Sequence, residues 1–173
     1  MTPRAPGQRP RVRPGFSLAE VAVATVVLGI MLGAAIQTVA ASRAGQVWNA
    51  ERLKGLALAS GLMSEITDRY YGDPAAAIVL FGPEVGEDQA VRTTLNDVDD
   101  YRDLKGVPTA RDGTEIPGLA GWSRTVEVAW VGIADPSVVS LVETGMKRVT
   151  VTVYRGKARL AELVRYRTAA IPR

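Results

Sequence analysis

Across residues 21–41 only Thr25, Gln37 and Thr38 interrupt aliphatic and small side chains, one carboxylate, Glu20, stands at the entrance, and no further charge follows until Arg43. At 1.5 Å of rise per residue, about 20 such residues cross a hydrocarbon core of roughly 30 Å. A chain carrying this stretch is either held by a membrane helix or exported through a cleavable signal. For export, Val39-Ala40-Ala41 before Ser42 is an acceptable small-residue cleavage site. Signal cores, however, usually run to about 7–15 apolar residues and are not opened by a glutamate, so the stretch reads as a membrane helix.

What precedes it sets the orientation. Residues 1–14 alternate prolines at 3, 6, 10 and 14 with Arg4, Arg9, Arg11 and Arg13, a composition suited to an extended, solvated tail. Positively charged flanks stay cytoplasmic, which places the C-terminal part of the chain across the membrane. The same arginines account for the protein's basicity. The net charge of +3 invites a nucleic-acid reading, but subtracting the four leader arginines leaves −1 for the remainder. Nucleic acid is therefore not an expected partner.

The 173 residues contain no cysteine and no histidine. That excludes disulfides, thiolate nucleophiles and Cys-ligated metals, and removes the commonest general base. No phosphate-cradling glycine loop, Gly-x-Ser-x-Gly elbow or Ser-x-x-Lys is present either. The expectation is a non-enzymatic protein with no catalytic residues and no cofactor.

Within the apolar stretch, Gly29 and Gly33 form a small-xxx-small pair that lets another helix approach, although glycines are frequent in membrane helices generally. Beyond it, residues 43–71 lack proline, and Leu56, Ala59, Met63, Ile66 and Tyr70 recur at helical spacing, with Leu53 and Leu62 widening the stripe. Glu51, Arg52, Lys54, Ser64, Asp68 and Arg69 occupy the other side. One helix over residues 16–71, stopped by Gly72-Asp73-Pro74, is the expectation, with its amphipathic second half resting on something apolar.

Residues 72–120 have no clear period. Gly82-Pro83, Asp112-Gly113 and Pro117-Gly118 mark turns, and the segment reads as long loops with one short strand near residues 90–95. Glu84, Glu87, Asp88, Asp97, Asp99, Asp100 and Asp103 are oxygen donors of the kind calcium takes. The glycine that a calcium loop requires is missing after Asp97-Val98-Asp99-Asp100-Tyr101, so they read as a solvated acidic loop with no metal site. Thereafter Trp122, Arg124, Val126, Val128 and Trp130 alternate with mostly polar neighbours, as do Val149, Val151 and Val153. Arg155-Gly156-Lys157 makes a tight connection, and residues 158–168 return as the partner strand. The aromatic residues Trp122, Trp130 and Tyr154 read as sheet-face residues.

The fold class expected is α+β: a long N-terminal helix whose second half packs on a three- or four-stranded antiparallel sheet. The organisation reads as a leader over residues 1–15, a membrane helix over 16–42, and a globular domain over 43–173. That domain divides into helix 43–71, loops 72–120 and sheet 121–168.

Glu20 needs a separate account. A carboxylate near the start of a span costs up to a few kcal/mol and normally pairs with a cation or marks function, unless it reaches headgroup water. Here the residues resemble a known family. Gly15-Phe16-Ser17-Leu18-Ala19-Glu20-Val21, after a basic leader and before about 20 apolar residues, resembles the N-terminal signature of type IV pilins and pseudopilins. The resemblance implies cleavage between Gly15 and Phe16 by a prepilin peptidase, N-methylation of Phe16, and pairing of Glu20 with the terminal amine of a neighbouring subunit. It further implies a pilin-like fold, other pilin or pseudopilin subunits and an inner-membrane assembly platform as partners, and passage from the bacterial inner membrane into a filament.

Major pilins commonly carry a proline where this chain has Gln37, and many close a C-terminal disulfide that a Cys-free chain cannot form. Both departures favour a minor subunit. Asn96-Asp97-Val98-Asp99-Asp100-Tyr101 and Met146-Lys147-Arg148-Val149-Thr150-Val151-Thr152-Val153 are similar to minor pilins of the mannose-sensitive haemagglutinin type, and also to the I-type minor pseudopilin of type II secretion. The function expected is a minor structural subunit of a type IV pilus or of a type II secretion-like pseudopilus. The alternatives are a single-span anchored module that binds DNA or another ligand, and a soluble domain released after Ala41.

Overall fold

A computed structural model describes residues 15–73 and 81–169, so the leader before Gly15 and the Pro74 of the expected helix stop lie outside the described residues. The chain divides into two units, Met1–Gln46 and Val47–Arg173. Helix α1, Leu18–Thr67, contributes to both.

In the first unit every described residue is exposed. Leu28, Ile30, Met31, Leu32 and Ile36 present apolar surface on all sides of the helix, and α1 is long and apolar enough to cross a membrane. A helix that is hydrophobic all round is a helix for an apolar surrounding.

The second unit is built on four strands, β1 (Lys105–Gly106), β2 (Trp122–Trp130), β3 (Met146–Arg155) and β4 (Ala158–Thr168). They form one antiparallel sheet in the order β1-β2-β3-β4. The layout is α+β, as expected. Strand alternation works as the sequence implies: Val126, Val128, Val149, Val151 and Val153 turn inward, while Thr125, Glu127 and Thr150 lie on the other side. The β3–β4 hairpin turns at Gly156-Lys157, where Gly156 takes φ +57°, a conformation glycine adopts without steric cost. From the helix, Ala59, Leu62, Met63 and Ile66 join the same core. Burying each of the three larger side chains contributes about 1.5–3 kcal/mol relative to leaving it in water.

The helix packs along a different line from the expected stripe. Leu53, Leu56 and Tyr70 are exposed, and Gly55 is buried in their place. The β3–β4 register slips between Val153 and Tyr154, pairing Val153 with Ala161 and Tyr154 with Arg159, so that Leu160 has no partner across the ladder. Leu160 is buried, and its Cβ would lie 3.0 Å from a Cβ placed on Gly55, with the Trp122 ring at 3.7 Å. The missing side chain at 55 is what admits the bulged leucine.

The helix also ends earlier than Gly72-Asp73-Pro74. Thr67 Oγ1 donates back to the Met63 carbonyl at 2.9 Å, and the chain then leaves helical geometry to bridge the loop. Tyr70 N donates to Asn96 O at 3.3 Å and Val98 N to Tyr70 O at 3.1 Å. Pairing with the loop replaces the last helical turn.

Loop 81–121 is more organised than expected, and the strand expected at residues 90–95 is not there. That segment forms turns, and the strand lies at β1 instead. Leu95, Val98, Tyr101 and Leu104 enter the core around a 3₁₀ turn at Asp99–Tyr101. Arg92, buried, holds the loop to the helix by donating to Glu65 Oε1 at 3.0 Å and to Thr109 O at 3.0 Å. Tyr101 donates to the same Glu65 oxygen at 3.0 Å.

Candidate functional site

Two places concentrate polar chemistry. The first is the start of α1. Ser17 and Glu20 form a reciprocal cap, in which Glu20 N donates to Ser17 Oγ at 3.2 Å and Ser17 N donates to Glu20 Oε2 at 3.1 Å. Ser-x-x-Glu at a helix start satisfies two otherwise orphan amides in this way. Ser17 Oγ also donates to Oε2, at 3.3 Å, and among the described residues no group donates to Oε1. Phe16, 88% exposed, precedes the cap, and Gly15 has open space around its Cα. Gly15, Phe16 and Glu20, singled out for processing and assembly, are thus all accessible at one end of the helix. The cap was legible in Ser17-Leu18-Ala19-Glu20 and is absent from the expectations above.

The second place is the acidic loop, whose 97–100 turn is withdrawn from water while Asp88 stays exposed. Asp97, Asp99 and Asp100 are buried, and Glu84 is half-buried. Asp103, by contrast, remains at the surface, in a partly exposed pair with Arg102. The loop is drawn inward by backbone donors. Asp97 Oδ1 accepts from Asp99 N at 2.8 Å and from Asp100 N at 3.2 Å, and Asp100 Oδ2 accepts from Asn96 N at 2.8 Å and Asp97 N at 2.9 Å. Glu87 caps the other side, accepting from Glu84 N at 2.9 Å and Asn96 Nδ2 at 3.0 Å.

Lys147 answers part of this charge. It is fully buried on β3, paired with Asp99, and donates to Tyr71 O at 2.5 Å while lying 4.3 Å from the centre of the Tyr71 ring. Sequence reasoning missed this residue, although it shares strand parity with Val149, Val151 and Val153 and so falls on the inward face.

Burial pushes the Asp97 carboxyl up to about 8, with Asp99 and Asp100 adding to the rise and Lys147 opposing it. Burial likewise moves Glu84 up to about 7, reinforced by Glu87 and Asp100 beside it, and Asp100 to about 6 despite the two amides that favour its charged form. Tyr71 is raised by burial and by its 2.5 Å hydrogen bond to Glu143. Carboxylate oxygens of Glu84, Asp97 and Asp100 lie within 4.8 Å of one another, an all-oxygen donor set able to hold a hard cation.

Arg124 lies on the inward face of β2 and donates to Thr109 O at 3.1 Å. Burial, aided by the neighbouring Arg92 charge, lowers its pKa to about 10.

No protein-family model, curated protein or solved structure matches this chain.

Proposed function

We propose that the chain is a minor structural subunit of a type IV pilus or type II secretion-like pseudopilus, inserted in the bacterial inner membrane with its N-terminus cytoplasmic. Its C-terminal domain then lies outside the cytoplasm, and assembly proceeds through helix α1. The observation that carries this reading is the start of α1, where an accessible Phe16 and a single capped carboxylate open a helix whose first half is apolar on every side. Such a surface suits lipid before assembly and other helices after it.

Cleavage between Gly15 and Phe16 creates an amine next to the cap. Glu20 then serves two ends: Oε2 closes its own helix, and Oε1 is open to the ammonium of a neighbouring subunit. The partners that follow are a prepilin peptidase, other pilin or pseudopilin subunits and an assembly platform in the inner membrane.

The mass of the mature protein tests processing. A chain beginning at methylated Phe16 supports the reading, whereas one beginning at Met1 or at Ser42 overturns it. Glu20→Gln and Glu20→Ala then separate capping from charge, because glutamine retains the cap and alanine does not. Loss of a charge-assisted bond worth ~1.5–3 kcal/mol lowers incorporation into filaments by about tenfold or more in both variants, with membrane insertion unchanged. Wild-type incorporation of Glu20→Gln would show that the carboxylate acts only as a cap.

A further inference from the structure

The acidic loop gathers more negative charge than its surroundings neutralise. Glu84, Glu87, Asp97, Asp99 and Asp100 face one another, and among the described residues Lys147 is the one cation hydrogen-bonded to any of them. Residues 74–80, which lie outside the described set, contain no lysine or arginine. Lys147 is hydrogen-bonded to Asp99 and to the Tyr71 carbonyl and acts on Asp97 only through its field, so among the described residues no cation is hydrogen-bonded to Glu84, Asp97 or Asp100.

A separate observation points to a ligand. Asp100 is fully buried, and while its Oδ2 takes the amides of Asn96 and Asp97, its Oδ1 has no hydrogen-bond donor among the described residues. Glu84 Oε2, Asn96 Oδ1 and Asp99 Oδ2 are likewise buried with no partner among the described residues. Buried acceptors of this kind are rare in native proteins and call for an ion, a water or a proton. Orphaned oxygens on Glu84, Asn96, Asp99 and Asp100 describe an acceptor set without a donor among the described residues.

We propose that Glu84, Asp97 and Asp100 bind one divalent cation, calcium, with Asn96 Oδ1 as a further oxygen donor. Two donors held at 2.3–2.6 Å from one calcium ion lie at most roughly 5 Å apart, which matches carboxylate oxygens within 4.8 Å of one another. Magnesium demands shorter bonds in near-ideal octahedral geometry and keeps several waters, which suits a buried carboxylate cage poorly. With neither thiolate nor imidazole in the chain, metals that prefer sulfur or nitrogen have no ligand here. The bound ion ties the Glu84 turn to the 96–100 turn, which Lys147 already joins to β3 through Asp99. It is a structural clamp, and it stands independently of the assembly role proposed above.

The test uses the full-length chain in detergent micelles, stripped with EDTA and dialysed, at pH 7.5. Calorimetric titration with calcium chloride is expected to show one site with Kd of about 1 mM or tighter. Calcium at 10 mM is expected to raise the unfolding midpoint by about 3 °C or more, and magnesium by less than half as much. In Glu84→Gln, which removes a half-buried charge without touching the buried amide bonds, calcium affinity falls by about tenfold or more while the calcium-free midpoint stays level or rises. No heat and no midpoint change in the wild-type chain up to 10 mM calcium overturns the proposal, as does unaltered calcium binding by Glu84→Gln. Equal stabilisation by magnesium overturns the assignment to calcium.

Discussion

Up to Gln46 helix α1 buries none of its described side chains, yet between Gly55 and Ile66 the same helix buries five residues. The two stretches have similar composition, rich in alanine, leucine and glycine. What separates them is the distribution of polar residues. Arg52, Lys54 and Ser64, all exposed, give the second stretch a wet side, so its remaining side can be served by a small sheet. The first has no wet side, and one sheet face cannot cover a cylinder. The glycines show the same contrast between open and packed sides: Gly29, Gly33 and Gly45, and Gly61 on the exposed side of the second stretch, have open space beside them, whereas Gly55 is pressed against Leu160.

The strongest way to sharpen this contrast is through charge. Glu20 stands at an exposed helix end, while Lys147 sits inside the second unit with Asp99 as its counter-ion. Lys147→Met leaves Asp99 buried and unpaired and is expected to destabilise the domain by ~3–5 kcal/mol in denaturant unfolding. Adding Asp99→Leu should recover most of the loss, and a double variant as unstable as the single one would show that packing around Lys147 matters more than the pair.

Two methionines make the next test. Met63 is 1% exposed and Met31 is 66% exposed on the same helix. Met63→Ala should cost ~2–5 kcal/mol, and Met31→Ala in detergent less than about 0.5 kcal/mol, both measured from denaturant midpoints. Equal costs would break the comparison, since the first stretch would then need a protein partner within its own chain.

The smallest expected effect comes from two glycines six residues apart. Gly61→Ala adds a methyl in open space and should stabilise by up to ~1 kcal/mol through helix propensity. Gly55→Ala meets Leu160 Cβ at 3.0 Å and should lose that gain or reverse it by ~1 kcal/mol. A thermal melt in which both substitutions stabilise would mean that the bulge at Leu160 yields freely.

Much of the second unit was readable before any coordinates. The strands announce themselves by alternation, and the β3–β4 hairpin by Gly156 between two such runs. The helix stripe was only half readable, because apolar residues were used to draw it and the closest approach occurs at a glycine. The acidic loop was misread for a related reason. Composition says that aspartates prefer water, and nothing near residues 97–100 in the sequence indicates that Lys147, 48 positions away from Asp99, will be waiting for one of them. Two local signals were present and carried more than was taken from them: Ser17 three residues before Glu20, and the parity of Lys147 with the β3 valines.

By itself, then, the sequence determined what depends on neighbours: a helix apolar on all sides, a second stretch with a polar side, and strands with one inward face. These follow from backbone periods of 3.6 and 2, which any window of a few residues displays. Only the tertiary structure decided where α1 stops, which helix residues meet the sheet, and that Asp97, Asp99 and Asp100 lose their water. Those outcomes rest on contacts closed across long loops, such as Tyr70 with Asp97 and Lys147 with Asp99, and a contact between distant residues leaves no periodic trace in either of them.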